Sequence, residues 1–421
     1  MKESGIPWIG KIPAEWGENK IKYVAEINPP LMTMYNENEA VGYIPMEAVK
    51  NGYVKPLKRK KSDLSTGLTG IQENDIIMAK VTPCFENGNI AIASGLSQNI
   101  AFGSSELFVF RAKEAFNRRY LFYYLQNAGF MNVCVSTMTG TGGLKRISSQ
   151  FVKNAYITYP VITEQRAIAD YLDDRCSKLD EIITEAEKSI EEYKELKQAV
   201  IANTVLYGVH KDVQLRNSGE NWCKTIPSHW RFERGKYLFK ETNIRSVDGT
   251  EELLTVSQYT GITPRSMKNV TMFEAASLVD YKICEVGDIA ANTMWMWAGA
   301  VGVSEYYGVI SPSYNTYRQT RGDFDSKYLD YLLRAVPLVS EYESLSTGIR
   351  ASRLRLYPSQ FLSIRYPVPP MDEQKEIVEY LNRKIGDMDA LISEKQSLIE
   401  DLKAYKKSLI YEVVTGKRRV V

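Results

Sequence analysis

Between Glu164 and Tyr207 the chain contains neither proline nor glycine, carries charge at high density, and repeats its apolar residues three and four apart. That pattern leaves little room for anything but one long helix with a narrow apolar seam. The seam reads Leu179, Ile182, Ala186, Tyr193, Leu196 and Val200. At 1.5 Å per residue, a helix of about forty residues would be roughly 60 Å long. Polar over most of its surface, it is marginal alone and needs a partner along the seam.

The partner is written in the same chain. A shift of 209 residues aligns Glu164, Gln165, Ile168, Tyr171 and Leu172 with Glu373, Gln374, Ile377, Tyr380 and Leu381. The same shift matches Asp180, Ile183, Lys197 and Ile201 with Asp389, Ile392, Lys406 and Ile410. On the second copy the stripe comprises Ile377, Leu381, Met388, Leu391, Leu398, Leu402, Tyr405 and Leu409. Two helices of one design are expected to pair, with Leu179, Ile182, Leu196 and Val200 set against Met388, Leu391, Leu402 and Leu409. The alternative is two ordinary surface helices on separate domains; equal lengths favour a paired rod.

The duplication extends beyond the helices. Ser4, Gly5, Trp8, Ile12, Pro13 and Trp16 recur as Ser218, Gly219, Trp222, Ile226, Pro227 and Trp230, a clasp whose role reads as packing. Short β-type runs broken by Gly, Asn and Pro follow, interrupted by one helix expected over residues 117–128. Phe116 before that helix and Tyr120, Leu121 and Leu125 within it recur as Phe324, Tyr328, Leu329 and Leu333. The expected fold class is α+β, with two mixed domains separated by two long helices and an internal pseudo-twofold repeat. The boundaries are 1–160, 161–208, 209–368 and 369–421. Between the shared landmarks the copies diverge: KVTPCFENGN from Lys80 to Asn89 faces NTMWMWAG from Asn292 to Gly299. Two units with one scaffold and different loops are what two related modules reading different targets require.

Composition narrows the chemistry. With 44% apolar and 25% charged residues the chain is that of an ordinary soluble protein, and it shows no signal peptide or membrane-spanning run, so the cytoplasm is expected. Cys84, Cys134, Cys176, Cys223 and Cys284 lack the close pairs of a zinc site and read as reduced, mostly buried thiols. His210 and His229 are the chain's two histidines, both between the first long helix and the next domain, which argues against histidine-based catalysis or metal binding. The balance of 53 basic to 51 acidic residues hides a division, because acids crowd into the helices and leave the intervening segments relatively basic.

Several stretches could carry function. Asn28-Pro29-Pro30-Leu31 is close to the loop with which amino-methyltransferases hold a target nitrogen, but Leu31 is not the aromatic that would stack on a flipped base. No glycine-rich nucleotide turn follows an early strand, so a plain turn is the better reading. TGTGGLKR from Thr139 to Arg146 and STGIRASRLR from Ser346 to Arg355 occupy the same place in both copies. Small residues that expose backbone N–H groups beside Lys145, Arg146, Arg350, Arg353 and Arg355 suit a phosphate backbone, a solvated turn being the plainer alternative. The basic run KPLKRKK from Lys55 to Lys61 has no second copy and reads as a solvated loop or a DNA contact. Asn87, Asn89 and Asn292 are candidate base readers, since a carboxamide can pair bidentately with adenine, and Lys80 is a further candidate DNA contact. Trp295, two residues from Trp297, is either core or an exposed apolar wedge.

Taken in order, these landmarks are specific. Two copies of Trp-x-x-x-Ile-Pro-x-x-Trp, a variable mixed segment, Tyr-Pro-Val at Tyr159–Val161 and Tyr366–Val368, and Glu-Gln opening a charged helix resemble the specificity subunit of type I restriction–modification systems. The resemblance covers essentially the whole chain. It implies two target-recognition domains, each reading half of a bipartite, asymmetric double-stranded DNA site. It implies that the helices pair as an antiparallel coiled coil that spaces the domains and docks two methylation subunits, with restriction subunits joining the full complex. Methyl transfer and ATP-driven cleavage would belong to those partners, so S-adenosylmethionine, ATP and magnesium are expected there, and no cofactor, metal or catalytic residue on this chain. The other classes are a freestanding DNA adenine methyltransferase using Asn28 to Leu31 and a coiled-coil adaptor without DNA function. On the leading reading the rod is a ruler, and one added helical turn of about 5.4 Å should shift half-site spacing by about one to two base pairs.

Overall fold

The computed structural model describes residues 1–420 except 32–39, 269–276 and 349–353. It divides into two compact units, one formed by residues 1–186 with 397–421 and the other by residues 187–396. Each unit thus combines a mixed α/β domain with one end of each long helix, Ile162–Tyr207 and Met371–Val414.

In the first unit an antiparallel sheet runs Ala25–Ile27, Leu107–Ala112, Ile76–Ala79, Ile90–Ile92 across its width. Ile76 to Ala79 are buried on both faces, which is why this run is apolar throughout rather than alternating. A second sheet is ordered Leu57–Lys60, Ala40–Ile44, Ile100–Gly103, Thr69–Gln72, its central pair parallel. The second unit keeps the first sheet as Phe239–Thr242, Asn315–Gln319, Ile289–Ala291, Val301–Val303 in the same order. In place of the other sheet it has a hairpin, Leu254–Ser257 with Gly261–Pro264, and a separate pair, Lys282–Cys284 with Gly308–Ile310. The repeated sheet also repeats an ion pair. Buried Asp75 takes Arg111 through two oxygens at 2.9 and 2.8 Å, and buried Asp288 takes Arg318 at 2.7 and 2.8 Å.

The landmark residues explain how each domain holds its helix ends. In the first unit Trp16 Nε1 donates to Glu164 (3.2 Å), while Gln165 accepts from Asn117 N and donates to Pro160 O, both at 2.9 Å. The second unit repeats the bracket. Trp230 Nε1 donates to Glu373 (2.9 Å), and Gln374 accepts from Asp325 N (2.8 Å) and donates to Asp323 O and Pro369 O (2.9 Å each). Asn117 and Asp325 are themselves N-caps, each accepting from two amides of the helices Arg118–Gln126 and Ser326–Leu333. From those helices the buried Tyr120 hydroxyl reaches Val414 O (3.1 Å) and Thr158 O (2.7 Å), and Tyr328 reaches Val205 O (2.9 Å). Each domain therefore grips the N-terminus of one long helix and the C-terminus of the other. The clasp was expected to pack; Trp16 and Trp230 are also hydrogen-bond donors.

Within the first unit Asp180 accepts from Lys406 at 2.6 Å, and within the second Lys197 donates to Asp389 at 2.7 Å. These are one pair, twice, under the 209-residue shift. The apolar stripe differs from the expected one. Leu179, Ile183, Ala186 and Ile190 are buried at alternating spacings of four and three, and the series continues through half-buried Tyr193, Lys197 and Val200. Ile182 is 50% exposed, Leu196 48% and Leu391 39%, so these three do not lie on the seam. Neighbours on a helix point 100° apart, and where Ile182 and Ile183 are both apolar the periodicity selects the wrong one. At Leu196 the adjacent seam position is Lys197, whose aliphatic stem fills it while its ammonium meets Asp389. Leu179, Val200, Met388, Leu402 and Leu409 are buried or half-buried.

Candidate nucleic-acid interface

In the first unit two of the sequence-selected loops meet. Thr139–Thr141 and Leu144–Arg146 form an exposed hairpin whose turn residues Gly142 and Gly143 have φ of 62° and 80°, a left-handed conformation that glycine adopts without strain. Thr82 fastens it to the Lys80–Asn89 loop. Its hydroxyl donates to Gly143 O (2.7 Å) and accepts from Lys145 N (2.9 Å), its own N–H donates to Lys145 O (3.0 Å), and Ile147 N donates to Lys80 O (3.0 Å). Lys145 projects from this platform, fully on the surface. Arg146 is different, because Glu106 takes its guanidinium through two oxygens at 3.0 and 3.2 Å and holds it above its ordinary pKa. Its guanidinium is thus already engaged by a carboxylate. Lys80 lays its ammonium 5.7 Å from the centre of the Phe108 ring. Exposed Asn87 lines a cavity of about 360 Å³ together with Lys403, Lys406 and Lys407 of the second long helix.

The run Leu57–Lys60 is not a loop. It is a fully exposed edge strand paired with Ala40–Ile44, and Lys58, Arg59 and Lys60 are the kind of residues that keep an open edge from pairing with another chain. Lys61 is spent over the Phe102 ring at 4.7 Å.

In the second unit Arg355 lies exposed at the end of the Gly-rich segment, where it exchanges two 3.0 Å backbone hydrogen bonds with Thr347. Arg350 and Arg353 fall outside the described residues. Asn292 is not available as a base reader: its amide nitrogen donates to the Tyr314 hydroxyl (2.9 Å), its oxygen accepts from Met294 N (3.2 Å), and the residue is buried. It organises the loop that displays Trp295. Met296 beneath is wholly buried, Trp297 Nε1 donates to Met294 O (3.0 Å), and Gly299 closes the turn at φ 86°. On this base Trp295 stands 51% exposed with its ring stacked on Trp297, centroids 5.7 Å apart and planes at 25°. Gln258 and Ser257, from the neighbouring hairpin, share a concavity of about 280 Å³ with Trp295. In sequence Gln258 is marked only as a polar residue between two alternating runs.

The remaining motifs have structural employment. Asn28, at φ 53°, exchanges hydrogen bonds with Val109: its side chain accepts from Val109 N (2.9 Å) and its N–H donates to Val109 O (2.7 Å). The Asn28–Leu31 segment is a strand-ending turn whose carboxamide oxygen is already engaged. His229 and His210 pair with Glu373 and Glu376 at 2.7 and 3.1 Å. Burial pushes the thiols upward, Cys176 to about 11 and Cys223 and Cys284 to about 12. Among the described residues no group of His, Cys, Asp and Glu could hold a metal ion, and no helix is long and apolar enough to cross a membrane.

Comparison with known proteins gives this arrangement a class. Residues 13–192 match the family described as the type I restriction modification DNA specificity domain. The chain is 30% identical over 224 residues to the EcoAI type I restriction enzyme specificity subunit of Escherichia coli, which covers 52% of this chain and 37% of that protein. It therefore spans little more than a third of the length of that relative. Against a putative MjaX specificity subunit of Methanocaldococcus jannaschii the similarity is 23% over 98% of this chain and 96% of the other. Two solved structures share the fold. One is a chain of a type I R-M system studied for complex assembly and conformational transition, with a TM-score of 0.73, 18% identity, and 97% and 100% coverage. The other is the HsdS subunit from Thermoanaerobacter tengcongensis, with a TM-score of 0.56, 19% identity, and 99% and 100% coverage. Over residues 13–192 the chain is thus similar to the DNA specificity domain of type I restriction–modification systems, and over most of its length it is similar to specificity subunits.

Proposed function

We propose that the chain is the sequence-specific DNA-binding subunit of a type I restriction–modification complex, reading a bipartite, asymmetric duplex site with one half per recognition domain. The observation that carries this reading is the contrast between a repeated frame and unlike loops. Both units share the same four-stranded sheet, the same Asp–Arg pair and the same Trp–Glu–Gln bracket, while the surfaces that the frame presents differ in topology and in residues. A repeated frame keeps two readers equivalent toward their partners, and unlike loops let them recognise unlike sequences.

The long helices act as an antiparallel coiled coil that sets the spacing of the half-sites and docks two methylation subunits, with restriction subunits completing the assembly. Two exposed apolar stripes support the docking role. Ile182 and Leu196 lie two heptads apart on the first helix, and Leu391, Leu398 and Tyr405 lie one heptad apart on the second at the equivalent positions. Apolar side chains held at heptad spacing in water suit a further helix packed alongside. Methyl transfer and ATP-dependent cleavage reside on the partners in this scheme, which therefore hold S-adenosylmethionine, ATP and magnesium.

The test is an exchange of residues 20–157 for the corresponding segment of another specificity subunit, followed by sequencing of methylated adenines in cells that also hold the methylation subunits. One half of the site should change and the other should stay. A change in both halves, or in neither, defeats the modular reading.

A further inference from the structure

We propose that Gln258 reads an adenine edge in the major groove within the half-site of the second unit, with the face of Trp295 covering a thymine methyl beside it. The assignment rests on the DNA-reading function above and gives that role to a residue other than Asn292.

Three observations converge on it. First, Gln258 is half-exposed and its carboxamide has no hydrogen-bond partner among the described residues, whereas the Asn292 carboxamide is used at both ends. A free carboxamide offers one donor and one acceptor in the spacing of adenine N7 and N6, the pairing that distinguishes A·T from the other base pairs in the major groove. Second, Gln258 is held in place. Its hairpin is fixed by the Leu254–Ser257 and Gly261–Pro264 ladder, by the Ser257 hydroxyl accepting from Tyr259 N (3.2 Å), and by Arg334 donating to Tyr259 O (2.7 Å). A reader on a rigid tip loses less freedom on binding than one on a loose loop. Third, the concavity of about 280 Å³ that it lines has one polar side, Gln258 with Ser257, and one aromatic wall, Trp295. A base pair edge that shows hydrogen-bonding atoms next to a methyl group is an A·T edge, and G·C offers no methyl. The aromatic wall stands on a fixed base, since Met296 is buried and Trp297 is tied to Met294 O.

The experiment uses the complex with its methylation subunits and a duplex library randomised in one half-site at a time, selected by binding and sequenced. The parental complex should show one A·T position in the second unit's half-site that Gln258→Ala relaxes by about tenfold or more. Gln258→Glu should move the preference at that position toward cytosine, whose N4 amino group donates to a carboxylate. The half-site of the first unit should keep its ranking in both variants, which also shows that the complexes are folded and assembled. If both variants keep the parental ranking at every position, or if both half-sites change together, the assignment is overturned. A parental complex with no sequence preference at all would instead overturn the DNA-reading function on which it rests.

Discussion

Gln374 makes the bracket between the second unit and its helix quantitatively testable. It is fully buried, and its side chain serves three backbone groups: Asp325 N at 2.8 Å, and Asp323 O and Pro369 O at 2.9 Å. Gln374→Ala leaves one donor and two acceptors without partners. At about 1–3 kcal/mol for each stranded group the loss is about 3–9 kcal/mol, the lower end applying where water enters the vacated space. Gln374→Glu is the sharper variant. Its carboxylate still accepts from Asp325 N, but it sets an oxygen against two carbonyl oxygens where a donor stood. The folded state then favours the protonated carboxyl, so the substituted group has its pKa raised on folding. A raised folded pKa means that the penalty is full at neutral pH and shrinks as pH falls through that value, because the proton restores one donor. Gln374→Glu should thus be less stable than Gln374→Ala at pH 7, with the gap narrowing toward pH 5. Amide hydrogen exchange in residues 323–328 and 371–378 reads the effect locally, which matters in a chain of two units where one global transition is not assured. Exchange equal to the parent in Gln374→Ala, or a Gln374→Glu penalty independent of pH, would refute the bracket as argued.

Tyr120→Phe and Tyr328→Phe should each cost about 1–2 kcal/mol, and each should loosen a different helix end: exchange should rise in residues 411–415 for Tyr120 and in 202–207 for Tyr328. Alkali should destabilise the fold from about pH 9 upward. Burial holds Cys176, Cys223 and Cys284 and the phenols of Tyr120, Tyr328, Tyr342 and Tyr366 above their ordinary values, so the unfolded chain ionises first and stability falls as pH rises. Thermal melts from pH 8 to 11 check the fall, and a phenolate absorbance titration should show those tyrosines appearing only on unfolding. Met296→Ala should lower the melting temperature through a loss of about 2–5 kcal/mol, whereas Trp295→Ala, removing a half-exposed ring, should leave the melt nearly unchanged and weaken DNA binding by the assembled complex.

Much of the architecture was legible because it was written twice. The Glu-Gln pairs, the tryptophan clasps and the tyrosines of the short helices stood out as landmarks, and the structure places all of them where each domain meets its helix ends. Their chemistry was not legible: Trp16 and Glu164 are 148 residues apart, and no local pattern announces a hydrogen bond over that distance. The seam was misread by one residue at Ile182 and at Leu196 for a different reason. At Ile182 the buried neighbour Ile183 is equally apolar, and beside Leu196 the seam position is a lysine, so hydrophobicity alone does not identify the face. Asn292 failed in a third way, since its residue type suits a base but Tyr314, 22 residues on, had already claimed it. The basic run at Lys58 to Lys60 took a strand because Ala40–Ile44 offered it an edge, a partner that lies beyond any local window.

The charged seam positions bear on register more than on strength. Exposed ion pairs contribute about 0–1 kcal/mol, so Asp180–Lys406 and Lys197–Asp389 add little to holding the helices together. What they do is penalise the alternatives. A slip by one heptad would set Asp180 beside Ile399 or Val413 instead of Lys406, and Lys197 beside Asn382 or Gln396 instead of Asp389. Each slip leaves the two half-buried lysines without their exposed aspartate partners, and polar seam residues specify register in this way at some expense in stability. The two pairs also constrain each other, because Asp180 to Lys197 and Asp389 to Lys406 span the same number of residues. Residues added between the first two alone would break one pair or the other, whereas equal additions to both helices keep each pair intact. If the helices are the ruler of the proposed complex, its length can be changed cleanly only in both copies at once, which gives a physical reason for the 209-residue repeat to be free of gaps through the helices.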